Sequence, residues 1–315
     1  MIALARRAVR ESLKALHPGD HIVVAVSGGA DSLLLAHCVH LEAETDAFQI
    51  TSVIVNHQLQ EDSTKIAEAA KRELLKFGLN RVELIPVEVI KVNGLEADAR
   101  SARYAALETY AKKIGATGIF LGHNQDDLAE SVLLGLTQGA GTKSLAGMSV
   151  HDGKYLRPLL TLSREQILQA CEEAGITYWN DPHNDDERFT RVKIRKNILP
   201  IMESEIGPGI TDALARSARI FREDSDALDQ LTDEIYATID NPYSIDILVL
   251  EKLPSAIRKR VIRRALASLG AARLSSEQIG WVEALISQWH GQGAVALPAG
   301  VTARRESGRL ALSRE

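Results

Sequence analysis

The chain has 315 residues, 45% hydrophobic and 25% charged, which excludes a disordered or low-complexity polymer and provides for a sizeable core. Lysine and arginine number 37 against 42 acidic residues, a formal charge of -5, so any nucleic-acid surface must be local rather than global. The two cysteines, Cys38 and Cys171, have no metal-type spacing, which excludes a disulfide framework, a zinc ribbon or an iron–sulfur site as the organising feature.

In chain order, the opening MIALARRAVRESLKAL is amphipathic, and no apolar run approaches the roughly 20 residues of a membrane span, so a cytoplasmic protein without a membrane partner is expected. Apolar runs at Ile22–Val26, Ile50–Val55, Val82–Val89 and Gly118–Gly122 read as strands. Helical spacing fills the intervals over Asp62–Phe77, Glu96–Ile114 and Asp126–Leu136. This alternation predicts a doubly wound α/β fold, a parallel sheet covered on both faces with ligands at the carboxyl ends of its strands.

After Pro158 the pattern changes to a helix over Ser163–Ala174 ended by Gly175, then a loop, then a helical stretch from about Arg191 to Leu231 broken near Gly207-Pro208-Gly209. From about Asp240 a small α+β unit is expected: a strand at Ile245–Leu250, helices at Ser255–Leu269 and Ser276–Trp289, and a hairpin in which AVALPAG and RLALS flank a turn at Gly308. The boundary is placed near residue 225, giving a catalytic region 1–225 with a helical extension and a C-terminal domain 226–315.

The strongest local signal is HIVVAVSGGADSLLLA, where a strand runs through Ser27-Gly28-Gly29-Ala30-Asp31-Ser32 into a helix. Two glycines allow backbone N–H groups to turn inward, the serine hydroxyls add donors, and the helix start adds partial positive charge, an arrangement suited to phosphate or pyrophosphate. No lysine follows the glycines as in G-x-x-x-x-G-K-[ST], and G-x-G-x-x-G is absent, which weakens kinase, GTPase and dehydrogenase readings. A tight strand-to-helix turn without a ligand is the alternative.

The motif SGGADS resembles the PP-loop of the N-type ATP pyrophosphatases, which cleave ATP between its α and β phosphates. VNHQLQEDS, EADARSARYAAL, LGHNQDDLAESVLLGLTQGAGTKSLAGM, LRPLL and DPHNDDERFTRVKIRKNILP follow in the order of the tRNA(Ile)-lysidine synthetase family, and LEKLPSAIRKRVIRRAL resembles that family's substrate-binding domain. The resemblance implies that ATP adenylates the wobble cytidine of the CAU-anticodon isoleucine tRNA, with Mg²⁺ and with release of pyrophosphate, and that free L-lysine then displaces AMP. It places ATP at Ser27, Gly28, Gly29, Ala30, Asp31, Ser32, Asn56, His57 and His123, with Asp31 as the candidate Mg²⁺ ligand. It makes Asp31, Arg103, Asp127 and Glu130 catalytic, with Asp127 and Glu130 receiving the lysine ammonium.

Asp127 and Glu130 could equally serve as helix-dipole partners, and Glu96, Arg100 and Arg103 as a solvated helix face. Arg191 and Arg195 at the cleft, and Arg260 and Arg264 on a helix crowded with like charge, are the candidate tRNA contacts. Tyr104 and Trp179 are the candidate stacking residues. Gln60, Asn124 and Ala140 depart from the commoner family wording, where Asn124 replaces a second histidine. No further domain is expected after the second unit, so tRNA recognition should lean on residues 225 to 315, and a homodimer is left open. The competing readings are a tRNA thiolase of the same superfamily, an ammonia-using synthetase, and a non-catalytic nucleotide-sensing RNA-binding module.

Overall fold

The computed structural model describes residues 1–44, 46–56, 63–87, 95–180 and 186–314. They form two compact units, one of 1–140 with 144–219 and one of 141–143 with 220–315. The sheet of the first unit contains β1 (His21–Val26), β2 (Gln49–Asn56), β3 (Val82–Pro86), β4 (Gly118–Phe120), β5 (His151–Asp152) and β6 (Tyr155–Leu156), in the order β3-β2-β1-β4-β6-β5. Every pairing is parallel except that of β5 with β6.

Side chains on a strand alternate between faces, and β1 shows the consequence. Ile22, Val24 and Val26 enter one core with α1 (Ile2–Leu13), α2 (Ala30–Ala43), α3 (Ser63–Lys76) and α7 (Arg164–Glu173), whereas Val23 enters another with Leu107 and Ala111 of α4 (Leu95–Ile114). Both faces are therefore covered, which is why β1 is apolar at every position from Ile22 to Val26 rather than at every second one. The carboxyl ends of β1, β2 and β4 lie side by side, and the chain order reverses between β1 and β4, the place where such sheets bind ligands.

Three boundaries differ from expectation. The fourth strand stops at Phe120 rather than Gly122: the Leu121 N–H still donates to the Leu156 carbonyl, but the His123 N–H turns back onto the Leu121 carbonyl ahead of α5 (Gln125–Thr137). The third stops at Pro86, and its expected end at Val89 lies outside the described residues. After the short α6 (Thr142–Leu145), the helical stretch is divided into α8 (Thr190–Lys193), a π-turn at Ile194–Ile198, α9 (Leu199–Glu205) and α10 (Ile210–Ala237). Pro200 has no N–H for the carbonyl four residues before it, which accounts for a disturbed ladder just upstream. Gly207 and Gly209, both at positive φ, make the break before α10.

In the second unit, β7 (Ser244–Asp246) ends early and α11 (Ile247–Glu251) begins, correcting the expected strand to Leu250. The Asp246 carboxylate accepts a hydrogen bond from the Leu248 N–H and starts that helix. Helices α12 (Ser255–Ser268) and α13 (Ser276–Ser287) follow, then β8 (Val295–Leu297), β9 (Val301–Glu306) and β10 (Arg309–Arg314), in an antiparallel sheet of order β7-β10-β9-β8. The Gly308 turn is present, with Ser307 and Gly308 both at positive φ as a two-residue hairpin requires. That turn sets Glu306 opposite Arg309, so RLALS pairs with β9, and the AVALPAG strand pairs on the outer side of β9 instead.

Among the described residues no helix is long and apolar enough to cross a membrane. Cys38 on α2 and Cys171 on α7 are free and buried in the first core, where burial pushes each thiol up to about 12.

Candidate active site

At the end of β1 the chain turns through Ser27-Gly28-Gly29 into α2. Gly28 has φ +88, and a Cβ there would stand 3.3 Å from that of Ala70, so both backbone and space favour glycine. The Ser32 hydroxyl folds back over the turn, accepting from the Ser27 N–H at 3.1 Å and donating to the Gly29 carbonyl at 3.0 Å. This braces the loop while the first-turn amides of α2 keep no intrahelical acceptor, leaving a ready anion site. Gly122, just beyond β4, lets that strand end touch the loop: a Cβ on it would lie 3.0 Å from Asp31 and Ser32 backbone atoms.

A cleft of about 480 Å³ opens here. Ser27, Gly29, Ala30, Asp31, Ser32, Asn56, Arg103, His123, Asp127, Arg191 and Arg195 all line it, as do Arg100, Tyr104 and Trp179. Gly28 shapes the loop without lining the cleft, and His57 and Gln60 lie outside the described residues. The Trp179 N–H donates to the Gly28 carbonyl at 3.0 Å, tying the segment after α7 to the phosphate loop. Arg164, from the start of α7, is a lining residue that sequence reasoning missed; a lone arginine after the helix-capping Ser163 carries no signal of its own.

The carboxylates are held in one network. Asp31 accepts from Arg164 at 2.6 Å and from the Asn124 side-chain amide at 2.7 Å. Asn124 caps α5, its oxygen accepting from the Asp127 N–H at 3.0 Å while the Asp127 carboxylate accepts from the Asn124 N–H at 2.9 Å. Arg195, on the π-turn, donates to Asp127 at 3.3 Å and to Glu130 at 2.6 Å. Glu130 is fully buried, its Oε2 unpartnered among the described residues. The expected ammonium seat is thus bridged by a guanidinium of the protein itself. Burial pushes the Glu130 carboxyl up to about 7 against the pull of Arg195, and burial also raises Asp127.

The remaining cations have no such counterweight. Neither the Arg103 nor the Arg191 side chain has a hydrogen bond or ion pair among the described residues, whereas Arg100 lies 5.1 Å from the centre of the Tyr104 ring. Burial, followed by the fields of Arg100, Arg157, Arg103 and Arg191, holds His123 well below the usual histidine range, so its ring is neutral, and its Nδ1 is unpartnered among the described residues. A cleft with unpaired guanidinium groups, a neutral imidazole and a helix start is built for a polyanion; Asp127 is the carboxylate of the acidic pair that lines it, and Glu130, fully buried, does not.

In the second unit the basic cluster of α12 differs from expectation. Arg258 donates to Glu283 and to the carbonyls of Leu250, Glu251 and Leu253. Arg260 pairs with Asp229 at 2.9 Å, Arg263 donates to the Leu274 carbonyl at 2.6 Å, and Arg264 pairs with Asp233. The crowding of like charge is therefore relieved within the unit and does not by itself call for a polyanion. The double change Arg260→Glu and Arg264→Glu would set carboxylates against Asp229 and Asp233, so a lowered thermal midpoint is expected, measurable by calorimetry before any tRNA titration. An unchanged midpoint would show these pairs to be energetically idle, as many exposed pairs are.

Comparison with known proteins agrees with this geometry. Residues 4–202 match the PP-loop domain family and residues 246–311 match the TilS substrate binding domain family. The tRNA(Ile)-lysidine synthase of Thermobifida fusca is 41% identical, covering 99% of this chain and 97% of the relative. That of Streptomyces coelicolor is 42% identical over 92% and 84% of the two chains. The U34-tRNA thiolase NcsA from Methanococcus maripaludis, solved with its [4Fe-4S] cluster, shares the fold at a TM-score of 0.57 and 20% identity, over 70% of this chain and 80% of that one. Both domain families are matched along one chain, relatives named tRNA(Ile)-lysidine synthase are about 40% identical over nearly all of it, and the chain belongs to the tRNA(Ile)-lysidine synthase family.

Proposed function

We propose that the protein ligates lysine to carbon 2 of the wobble cytidine of CAU-anticodon tRNA(Ile), consuming ATP and releasing AMP and pyrophosphate. The observation that carries the reading is the joining, in one cleft, of an anion cradle at Ser27–Ser32 to Asp127, which Arg195 bridges to the fully buried Glu130 outside the cleft lining. In the first step the cytidine O2 attacks the α-phosphate of ATP and pyrophosphate leaves. In the second the lysine ε-amine attacks the adenylated ring carbon and AMP leaves.

The first step needs stabilisation of charge on pyrophosphate, which the loop amides, Arg103 and Arg191 can supply. The second needs an ammonium attracted and then deprotonated, which suits Asp127 and Glu130 once the substrate cation exchanges with Arg195. No cluster of three metal-ligating side chains exists among the described residues, but Mg²⁺ held largely by ATP phosphates requires only one or two carboxylates. Asp31 can supply one, its oxygens each accepting a single hydrogen bond among the described residues, and the ion would neutralise phosphate charge there. Arg191 at the cleft and the second unit are the proposed tRNA contacts.

The thiolase reading is disfavoured because both cysteines are buried in the core and neither lines the cleft. The deciding experiment combines the protein with ATP, labelled lysine and total tRNA. Incorporation into a single isoleucine tRNA, with AMP and pyrophosphate as products, is expected; lysine-independent turnover or release of ADP would overturn the reading.

A further inference from the structure

We infer that Asn124 is a positioning residue that aligns Asp31 for the adenylation step, and that it does so with the end of its side chain that helix capping leaves free. The inference rests on the functional reading above. Asn124 is 3% exposed, so its amide has no solvent to turn to. Its oxygen is committed to the Asp127 N–H and its nitrogen to Asp31 Oδ1, at 3.0 and 2.7 Å. The other Asp31 oxygen is drawn toward Arg164 at 2.6 Å. Two donors from opposite elements thus fix one carboxylate at the phosphate loop; without the amide, Asp31 would be left to rotate onto Arg164 alone.

A neutral amide suits this place because it donates on one side and accepts on the other. Aspartate would cap α5 equally well but would set a third carboxylate against Asp31 and Asp127. Serine would keep a cap but is too short to reach Asp31. Histidine, found at this place in the commoner family wording, caps poorly yet offers an N–H toward Asp31. The capping role and the positioning role therefore rank serine and histidine in opposite orders.

The test uses Asn124→Ser, Asn124→Asp and Asn124→His in the full chain. Single-turnover formation of adenylated tRNA and pyrophosphate is followed without lysine, lysine is then added in a chase, and thermal midpoints are recorded alongside. Positioning predicts adenylation in the order wild type, His, Ser, Asp. Asn124→Ser should be slower by about tenfold to a hundredfold. The lysine concentration giving half-maximal chase rate should stay within about twofold for Ser and Asp, since Asp127 keeps its cap. Thermal midpoints should place Ser above His, the reverse of their adenylation order.

Adenylation rates that follow the midpoints, or an Asn124→Ser enzyme that adenylates at the wild-type rate, would overturn the inference. Should Asn124→Asp fail to fold, the Ser and His pair still gives the ordering. A wild-type protein that forms no adenylated tRNA would instead remove the functional reading, and this inference with it.

Discussion

Asp31→Ala is expected to slow pyrophosphate release by about a hundredfold to a thousandfold, the loss seen when one preorganised electrostatic group is taken from a reacting centre. The fold should survive, because the α2 segment that carries Asp31 is anchored by fully buried Leu33, Leu34 and Leu35. The change frees Arg164 and the Asn124 amide, each of which now points at Asp31. Arg164, released from its partner, remains a cation at the phosphate site, so ATP affinity should fall far less than turnover. Rapid-quench measurement of pyrophosphate, together with an ATP titration, separates the two. A variant that loses ATP binding and turnover in parallel would place Asp31 in ground-state binding instead.

Glu130→Gln is expected to impair lysine transfer by about tenfold to a hundredfold while leaving adenylation close to wild type, and Asp127→Asn should do the same more weakly. Glu130 is the deeper of the two and the closer to Arg195, so its charge is the less screened. In the wild type, lysine transfer should rise as pH passes about 7, where Glu130 loses its proton, and the glutamine variant should lack that inflection. Stability has the opposite sign. The folded protein holds this proton more tightly than the unfolded chain, so the contribution is present below about 4.5 and is lost as pH rises through about 7. Thermal midpoints at pH 5 and pH 8 should therefore move in favour of the variant at the higher pH. Equal lysine kinetics in the variant and the wild type would return both carboxylates to the role of helix-dipole partners.

The α/β order was legible because buried parallel strands write themselves as apolar runs and crossover helices as amphipathic ones. The short strands β5 and β6 were not, since two residues cannot display a period. The strand-to-helix loop was legible from its glycines and serines, and the shared helix face of Asp127 and Glu130 from their spacing, while a role for that pair came only from the resemblance. What the sequence concealed was the pairing of charges. Arg195 and Arg260 look alike as basic residues on helices, yet one bridges carboxylates 65 and 68 residues away and the other meets Asp229, 31 residues away on a different helix. Charge counted along a chain gives no account of its neutralisation in space, which is why the α12 cluster read as a free surface. Asn124 was visible as a departure in wording, but its bond to Asp31, 93 residues distant, depends on the close approach that Gly122 permits.

The burial of both cysteines has a practical side. Neither Cys38 nor Cys171 reaches solvent, and each thiol is held in its protonated form far above neutral pH. Peroxides and alkylating agents therefore meet no thiolate on this molecule, and reagents that inactivate sulfur-transfer enzymes have nothing to attack. The native protein is in effect a thiol-silent scaffold. A single cysteine introduced at an exposed position such as Lys259 on α12 would be its one maleimide-reactive group, and a fluorophore placed there could follow tRNA docking without any background mutation of the core.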